Sequence, residues 1–362
     1  MSFHERGLCF SPFFELLGCI YKNFSRKKKN FLSILGIYVK YYQMKFLDMV
    51  FDIDCCFLIY NKNDELYFIS SIFKKGKMKY VRIMHIVIIK CFMIQTYYIN
   101  NFEELFDLIA EQPFDNDKKR YRSSFLYRGL VNDTYSLVTS LNRNCGYKQK
   151  ELENSILRNF AKYAETTDPA IKESIWRQMI LGQHHGLPTR LLDWSYSPLV
   201  ALHFACSSEN PYDLDKNNCC IWKIDSDELN ALLPEKYSEK LKKESAFVFT
   251  VDMLKAICSD LETYDKDMAA NAMVLVEPPS IDQRIINQYS YFSVVPMDIN
   301  NVEEFLEAKT NNSAKYIINK DLKWRIRDFL DQMNLNERTI YPGLDGLSSW
   351  LKRHYYVKRE NI

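Results

Sequence analysis

The chain has 362 residues, of which 47% are hydrophobic and 26% charged, and its formal net charge at pH 7 is +2. This composition is typical of an ordinary soluble globular protein, and the near-neutral charge argues against a nucleic-acid binder by overall composition. At this length the chain forms one large domain or two modest ones. The charge is uneven, because residues 1–100 carry 15 Lys and Arg against 7 Asp and Glu, whereas the remainder carries 33 against 39.

The ten cysteines follow no metal-binding or disulfide pattern. The adjacent pairs Cys55-Cys56 and Cys219-Cys220 lack the spacer of zinc ligands, so we expect no metal site. Free thiols are typical of the reducing cytoplasm, where we expect the protein. The first residues do not form a signal-peptide pattern. The most apolar run, 83–99, is interrupted by His85 and Lys90, so no membrane span is expected.

Residues 1–95 form a poorly defined N-terminal extension that is basic and rich in aromatic residues. Residues 51–60 and 65–74 predict two strands joined by a turn at 61–64, and a second turn is expected at 74–77.

Three interpretations of this extension stay open. It is a small accessory domain, or a segment translated from a wrongly chosen start with the true start near Met78 or Met93. Alternatively, its basic and aromatic residues bind nucleic acid or an anionic surface.

From residue 101 the sequence alternates helical and strand patterns. The expected helices are 102–110 with Asn101 as N-cap, 150–164, a helix opened by Asp168-Pro169 and running to about 184, 197–206, a helix capped by Asp321, and 344–355. The expected strands are 123–130, 219–224, 273–276, 291–295 and 315–318. In the second helix, Leu152, Ile156, Phe160 and Tyr163 form the predicted inward stripe. The mixture predicts an α+β fold, a small mixed sheet flanked by helices.

One strand pattern ends in Tyr127-Arg128-Gly129. An arginine at the end of an apolar strand suits a planar anion such as phosphate or pyrophosphate. The glycine would let a ligand approach the backbone. The alternative for Arg128 is a structural ion pair with an acid such as Asp193 or Asp282.

Residues 183–194, QHHGLPTRLLDW, place polar side chains beside strong backbone signals, which is typical of a functional site. His184 and His185 point about 100° apart on a helix, so one of them at most faces a given ligand. Such a histidine acts as a general acid or base or binds a ribose hydroxyl; His185 is our catalytic candidate. The alternative is a histidine bonded to the helix's last carbonyls. Gly186 is expected to end the helix in a left-handed conformation.

The rest of this segment offers further ligand-binding candidates, Gln183, Thr189, Arg190, Asp193 and Trp194. Arg190 and Asp193 are close enough in sequence to pair, which would make the loop rigid. Trp194 either packs in the core or stacks on a base or nicotinamide ring. The helix beginning at Ser197-Pro198 presents an anion-favouring N-terminus beside this loop.

Four segments together resemble, in order, those of the FRG domain family. They are Tyr127-Arg128-Gly129, residues 183–193 with the Pro198 helix, Asp282-Gln283-Arg284 with Gln288, and the YPGLDGL sequence at 341–347. The resemblance implies an FRG domain over 97–357 with a site built from Arg128, 183–194 and 282–288. It also implies a setting in prokaryotic phage-defence or toxin systems. We expect the 341–347 segment to be structural.

Three functions remain open. The order of the motifs is similar to that of the ADP-ribosyltransferase superfamily, which implies NAD as cofactor, an acceptor of unknown identity, and Glu277 or Gln288 in the late catalytic position. Glutamine cannot act as a base. The second is a non-catalytic nucleotide or nucleic-acid binding module. The third is a hydrolase or nuclease that uses His184 or His185 with Asp193 and a divalent metal. Kinase, P-loop and dinucleotide-fold functions are disfavoured, since no phosphate-binding Gly-rich loop is present.

Overall fold

The structure is a computed structural model. It describes residues 94–280 and 282–358 in full and, nearer the N-terminus, the backbone of 39–45, 53–62, 65–74 and 87–89. The chain divides into two units, residues 1–91 and 92–362.

The described part of the first unit is a four-stranded antiparallel sheet. Its strands, in spatial order, are β1 Val39–Lys45, β2 Ile53–Lys62, β3 Glu65–Lys74 and β4 Val87–Ile89. The predicted strand pair is confirmed, because β2 and β3 pair in register from Ile53↔Lys74 to Lys62↔Glu65. The strand includes Asn61 and Lys62, so the turn is shorter than predicted. Residues 63–64 and 75–77, where the rest of the predicted turns falls, lie outside the described residues, as do Met78 and Met93.

The second unit is built on a seven-stranded mixed sheet, which confirms the α+β prediction. Its strands are β5 Gln95–Ile99, β8 Phe125–Leu130, β9 Leu191–Ser195, β10 Cys219–Asp225, β11 Val274–Val276, β12 Ser290–Val294 and β13 Ala314–Ile318. Their spatial order is β11-β12-β9-β8-β10-β13-β5, and only the β13–β5 pair is parallel. A separate two-stranded hairpin consists of β6 Phe114–Asp115 and β7 Arg120–Tyr121.

Helices cover this sheet. They are α1 Leu105–Ile109, α2 Ser140–Cys145, α3 Gln149–Ala164, α4 Ile175–His184, α5 Pro198–Ala205, α6 Ser226–Ala231, α7 Glu235–Glu244, α8 Val251–Ile257, α9 Leu261–Met268, α10 Gln283–Asn287, α11 Val302–Lys309, α12 Lys323–Gln332, α13 Glu337–Ile340 and α14 Leu344–His354. No described helix is long and apolar enough to cross a membrane.

The interior strand β10 shows that the sheet is covered on both faces. All of its residues are buried. Because side chains alternate along a strand, Cys219 and Ile221 pack in one core with α5 and α12. Cys220, Trp222 and Ile224 pack in another core with α11. A third core lies at the β9–β12–β11 side and includes residues of α3, α4, α8 and α9.

Helix α5 lies directly against β8 at Gly129. The predicted start of this helix is confirmed, because the Ser197 hydroxyl accepts a hydrogen bond from the Val200 N–H and Pro198 occupies the first turn. A Cβ atom at Gly129 would lie 2.0 Å from the Ala201 carbonyl oxygen and 2.6 Å from the Ala205 nitrogen. The helix therefore fills the space that a side chain at this position would take, so the glycine permits the close contact between α5 and β8.

The predicted inward stripe of the 150–164 helix is confirmed only in part, since Ile156 and Phe160 are half-buried. In α3 the buried residues are Glu153, Leu157 and Ala161, whereas Leu152 is 39% exposed and Tyr163 is 75% exposed. The helix is rotated because the carboxylate of Glu153 binds a buried arginine, which a hydrophobic pattern does not detect.

Two predicted helix starts were misplaced by a few residues. A separate 3₁₀ turn, Ile171–Glu173, precedes α4, and the carboxylate of Asp168 binds Arg177 and the Ala170 N–H. Before α12, the side chain of Asn319 accepts from the Asp321 N–H and opens a 3₁₀ turn, Lys320–Leu322. In both places the capping side chain bonds to the backbone at a short 3₁₀ turn, and the α-helix begins after that turn.

Replacement of Gly129 by alanine should destabilise the second unit by about 3 kcal/mol, at the upper end of overpacking costs, because backbone atoms of α5 cannot yield as a side chain can. Urea denaturation measures the change. The control is Gly186→Ala, at φ +81° with no other atom near its Cβ position; left-handed strain alone costs about 1 kcal/mol. Equal losses in the two variants would contradict the packing argument.

Candidate functional site

The C-terminus of α4 presents three polar side chains, Gln183, His184 and His185. The Gly186 N–H bonds to the Gln183 carbonyl and the Leu187 N–H to that of Gly182, which is the Schellman motif. Gly186 has φ +81°, so its predicted left-handed conformation is confirmed. This sharp end turns the chain towards β9, so that residues 183 and 193 lie side by side. His185 is exposed at the surface.

A chain of hydrogen bonds joins α4 to strands β9 and β8. The Thr189 hydroxyl donates to Gln183 Oε1 at 2.6 Å. Gln183 Nε2 in turn donates to both carboxylate oxygens of Asp193, at 3.1 and 3.0 Å. Arg128 Nη1 donates to the Asp193 backbone oxygen at 2.8 Å and to its Oδ2 at 3.1 Å. The structural ion pair considered for Arg128 is therefore present, with Asp193 as the acid.

Arg128 is not saturated by this pairing. Its side chain is 16% exposed, whereas the Asp193 carboxylate is 52% exposed. The buried Arg128 Nε has no hydrogen-bond partner among the described residues. A buried donor without a partner is unfavourable, so this guanidinium retains the capacity to bind an acceptor from outside the chain.

Helix α10 brings a second polar group to the end of α4. Asp282 caps this helix, and the Arg284 N–H, which donates to Asp282 Oδ1, holds the pKa of that carboxyl below its usual value. His184 Nε2 lies 3.2 Å from Asp282 Oδ2. Burial lowers the pKa of His184, although Asp282 opposes the shift. His184 is therefore neutral at pH 7 and offers one donor and one acceptor.

Arg284 lies over the ring of Tyr341, 4.9 Å from its centre. Its Nε is buried without a partner, and its guanidinium donates no hydrogen bond to a described residue. Burial raises the pKa of Tyr341, and the charges of Arg284, Glu337, Arg327 and Asp193 also act on it. Tyr341 belongs to the segment expected to be structural, and sequence reasoning did not include it in the site.

A buried network supports Tyr341 from below. His203 and Phe204 of α5 contact its ring. Arg327 Nη1 lies 2.9 Å from His203 Nδ1, and its other end binds Glu337. Arg353 joins Glu337 to Asp331. The network connects α5, α12, α13 and α14, so the C-terminal helices fix the position of Tyr341.

Several predicted ligand contacts are buried parts of the framework instead. Arg190 is 3% exposed and binds Glu153 and Asp265, so the predicted Arg190–Asp193 pair was wrong. Trp194 is also 3% exposed, and its Nε1 donates to Ser293 Oγ; its ring has no free face for stacking on a ligand. Tyr127 lies in the core beneath α5, and Thr189 is buried.

Glu277 and Gln288, the two late candidates, differ in their surroundings. Gln288 Nε2 donates to the Ile340 carbonyl at 3.4 Å, and the backbone carbonyl of Gln288 accepts from Ser195 Oγ at 2.7 Å. Glu277 follows β11 and lines an open cleft of about 660 Å³. Burial raises the pKa of the Glu277 carboxyl, which makes no hydrogen bond or ion pair to another described residue.

No group of three or more His, Cys, Asp or Glu side chains that could hold a metal ion occurs within the described part of the chain. His184, His185 and Asp193 do not form such a group, because His184 turns to Asp282 and Asp193 turns to Arg128. The hydrolase hypothesis therefore receives no support from a metal centre in these residues.

Fold and site together define an α+β protein with a surface polar cluster where β8, β9 and α4 meet α10 and Tyr341. The family model of the FRG domain matches residues 123–214, so the chain contains an FRG domain. The matched residues run from β8 through α5 and include Arg128 and the whole 183–194 segment. Comparison with curated proteins gave no match, and comparison with solved structures gave none either.

Removal of the Glu153 carboxylate should destabilise the fold by about 3–5 kcal/mol, because it leaves the buried Arg190 charge without one of its two partners. Chemical denaturation of Glu153→Ala measures this. Glu151→Ala, an exposed residue of the same helix, is the matched control and should change stability by about 0.5 kcal/mol or less. A similarly small effect at Glu153 would show that the pair is not structural.

The His203→Gln variant should lose less stability in acid than the natural chain. Burial, reinforced by the charges of Arg327 and Arg353, holds the pKa of His203 well below 6.5. A lowered folded-state pKa means that unfolding takes up a proton below that pH, so stability is complete above about pH 6.5 and falls as the pH decreases. The slope should differ by up to ~1.4 kcal/mol per pH unit. Parallel curves of unfolding free energy against pH would refute a neutral His203.

Proposed function

We propose that this protein binds a phosphate-bearing nucleotide, and that Arg128 and Arg284 donate hydrogen bonds to its phosphate oxygens. The observation that carries the proposal is that the buried Nε atoms of both arginines lack partners among the described residues. The charges of Arg284 and of Asp193, which binds Arg128, both act on Tyr341. Arginine binds phosphate oxygens through paired N–H donors in a planar fork.

The geometry of Arg128 supports this role. Asp193 occupies only its Nη1, which leaves Nε and Nη2 on one edge of the guanidinium. Two donors on one edge match two oxygens of a phosphate or pyrophosphate. The bond to Asp193 holds the side chain in a fixed direction, so little conformational entropy is lost when an anion binds.

Arg284 adds a second positive charge that no carboxylate neutralises through a direct bond. Its position over Tyr341 limits the orientations of the guanidinium. An anion held between the two arginines would replace the missing hydrogen bonds of both Nε atoms.

The neighbouring acids favour a nucleotide over inorganic phosphate. Asp193 and Asp282 have side chains that are 52% and 45% exposed, and exposed carboxylates beside an anion site are suited to accept further hydrogen bonds from sugar hydroxyls. Neutral His184 offers a further hydroxyl partner. Because Asp282, Arg284 and Tyr341 lie outside residues 123–214, the proposal includes a functional FRG domain that extends over 97–357.

An NAD-dependent transferase is the second candidate. Strands β8, β9 and β12 are neighbours in the sheet. Arg128 lies in β8, the 191–195 segment forms β9, and Gln288 stands just before β12. A site built from these three motifs requires that adjacency. Gln288 is engaged with Ile340 and has no acid–base capacity, whereas Glu277 has a carboxylate with a raised pKa. We therefore assign the acid–base role to Glu277 in this candidate, within the phage-defence or toxin setting that the family resemblance implies.

Calorimetric titration of the full chain with NAD, ADP-ribose and ATP tests the binding proposal. Arg128→Ala and Arg284→Ala should each weaken binding about tenfold or more, as expected when charge-assisted hydrogen bonds are lost. Arg158→Ala, an exposed arginine of α3, is the matched control and should bind as the natural chain does. A folded protein that binds none of the three nucleotides would overturn the proposal.

Nicotinamide release from NAD separates the transferase from a simple binder. A transferase should release nicotinamide, and Glu277→Gln should abolish release while the Kd for NAD changes little. Tight NAD binding without any release in the natural chain would leave nucleotide binding intact and eliminate the transferase candidate.

A further inference from the structure

A second surface site lies beside α10. It is the open cleft of about 660 Å³ that Glu277 lines, a size within the ordinary range of ligand pockets. Its other walls come from the α10–β12 connection and from the segment that follows α12. The lining includes Ile285, Tyr289, Tyr291, Met333 and Ile340.

Three large apolar or aromatic side chains of this cleft are exposed to solvent. Ile286 is 48% exposed, Tyr289 is 61% exposed and Met333 is 54% exposed, and all three line it. An open cleft with exposed apolar and aromatic side chains and one charged group is typical of a binding site.

The backbone conformation of Tyr289 indicates that its side chain has a function. Tyr289 follows the C-cap of α10 with φ +47°, the left-handed conformation in which glycine is favoured. Its ring is mostly exposed, so packing does not explain why a bulky residue occupies this position. Backbone strain of this kind is retained where the side chain has a use.

The charge of the cleft selects the ligand. Among the described residues that line it, Glu277 carries the sole formal charge. Its carboxylate makes no ion pair or hydrogen bond to another described residue. Aromatic rings near an unpaired carboxylate favour a cation, and a guanidinium both stacks on rings and bonds to a carboxylate in a plane.

We propose that this cleft binds the guanidinium side chain of an arginine in a peptide segment, with Glu277 as its charge partner and the Tyr289 ring as one wall. The site uses neither Arg128 nor Arg284, but Glu277 is also the acid–base residue of the transferase candidate. If the transferase candidate holds, this arginine segment is where an acceptor protein would dock.

The test is an NMR titration of the full chain, without nucleotide, with the blocked tripeptide Gly-Arg-Gly and with its citrulline analogue, which has the same shape but no charge. The arginine peptide should bind about tenfold more tightly or better, as expected for a charge-assisted hydrogen bond. Glu277→Gln should remove that preference. Tyr289→Gly should weaken binding of the arginine peptide without loss of stability, because glycine relieves the left-handed strain.

Two controls keep the result specific. Glu262→Gln, an exposed acid of α9 that pairs with Lys266, should bind the arginine peptide as the natural chain does. Arg128→Ala should also bind it normally, so failure of the nucleotide proposal and failure of this one are distinguishable. Equal binding of the arginine and citrulline peptides, no binding of the arginine peptide to the folded chain, or an unchanged preference in Glu277→Gln would overturn the proposal.

Discussion

The Asp193 carboxylate is the junction on which the polar cluster depends. It accepts hydrogen bonds from Gln183 at the end of α4 and from Arg128 of β8, and it belongs to β9 itself. The α4–β9 segment is thereby fixed to within a hydrogen bond of a strand that lies 65 residues earlier in the chain. Because Arg128 is held by one nitrogen only, the same contact that fixes its direction leaves donors for a ligand.

Two groups of buried charges surround this junction and have a different task. Arg190 with Glu153 and Asp265 joins the site loop to α3 and α9. Arg327 and Arg353 with Glu337 and Asp331 join the three C-terminal helices to one another, and Arg327 also bonds to His203 of α5. Buried pairs of this kind contribute little net stability, but loss of one partner is costly. They therefore fix the loop and Tyr341 in one arrangement.

Much of the fold follows from local signals in the sequence. The Ser197-Pro198 start of α5, the left-handed Gly186 and the apolar strand β10 were each predictable, because caps, glycine turns and continuous apolar runs act over a few residues. The inward face of α3 was missed, since Glu153 is buried by a partner 37 positions away. A signal did exist: Glu153, Leu157 and Ala161 stand four residues apart, and the acid continues an apolar row.

Some polar residues of the motifs are buried in the framework and others lie in the surface cluster, and sequence alone does not tell the two groups apart. Arg190 and Trp194 stand beside Asp193 in the chain, but strand alternation and distant acids bury them. Tyr341 was overlooked as a site residue because its neighbours, Pro342 and Gly343, are typical of a turn. Its role depends on Arg284 and on a helix more than a hundred residues earlier, contacts that no local pattern contains.

The most direct test of this account is an experimental structure of the full chain with NAD bound. The account predicts the pyrophosphate within hydrogen-bond distance of Arg128 Nε or Nη2 and of the Arg284 guanidinium, with Asp193 still bonded to Arg128 Nη1. Pyrophosphate bound elsewhere on the surface, with both Nε atoms still lacking partners, would contradict the central claim that these two arginines form an anion site.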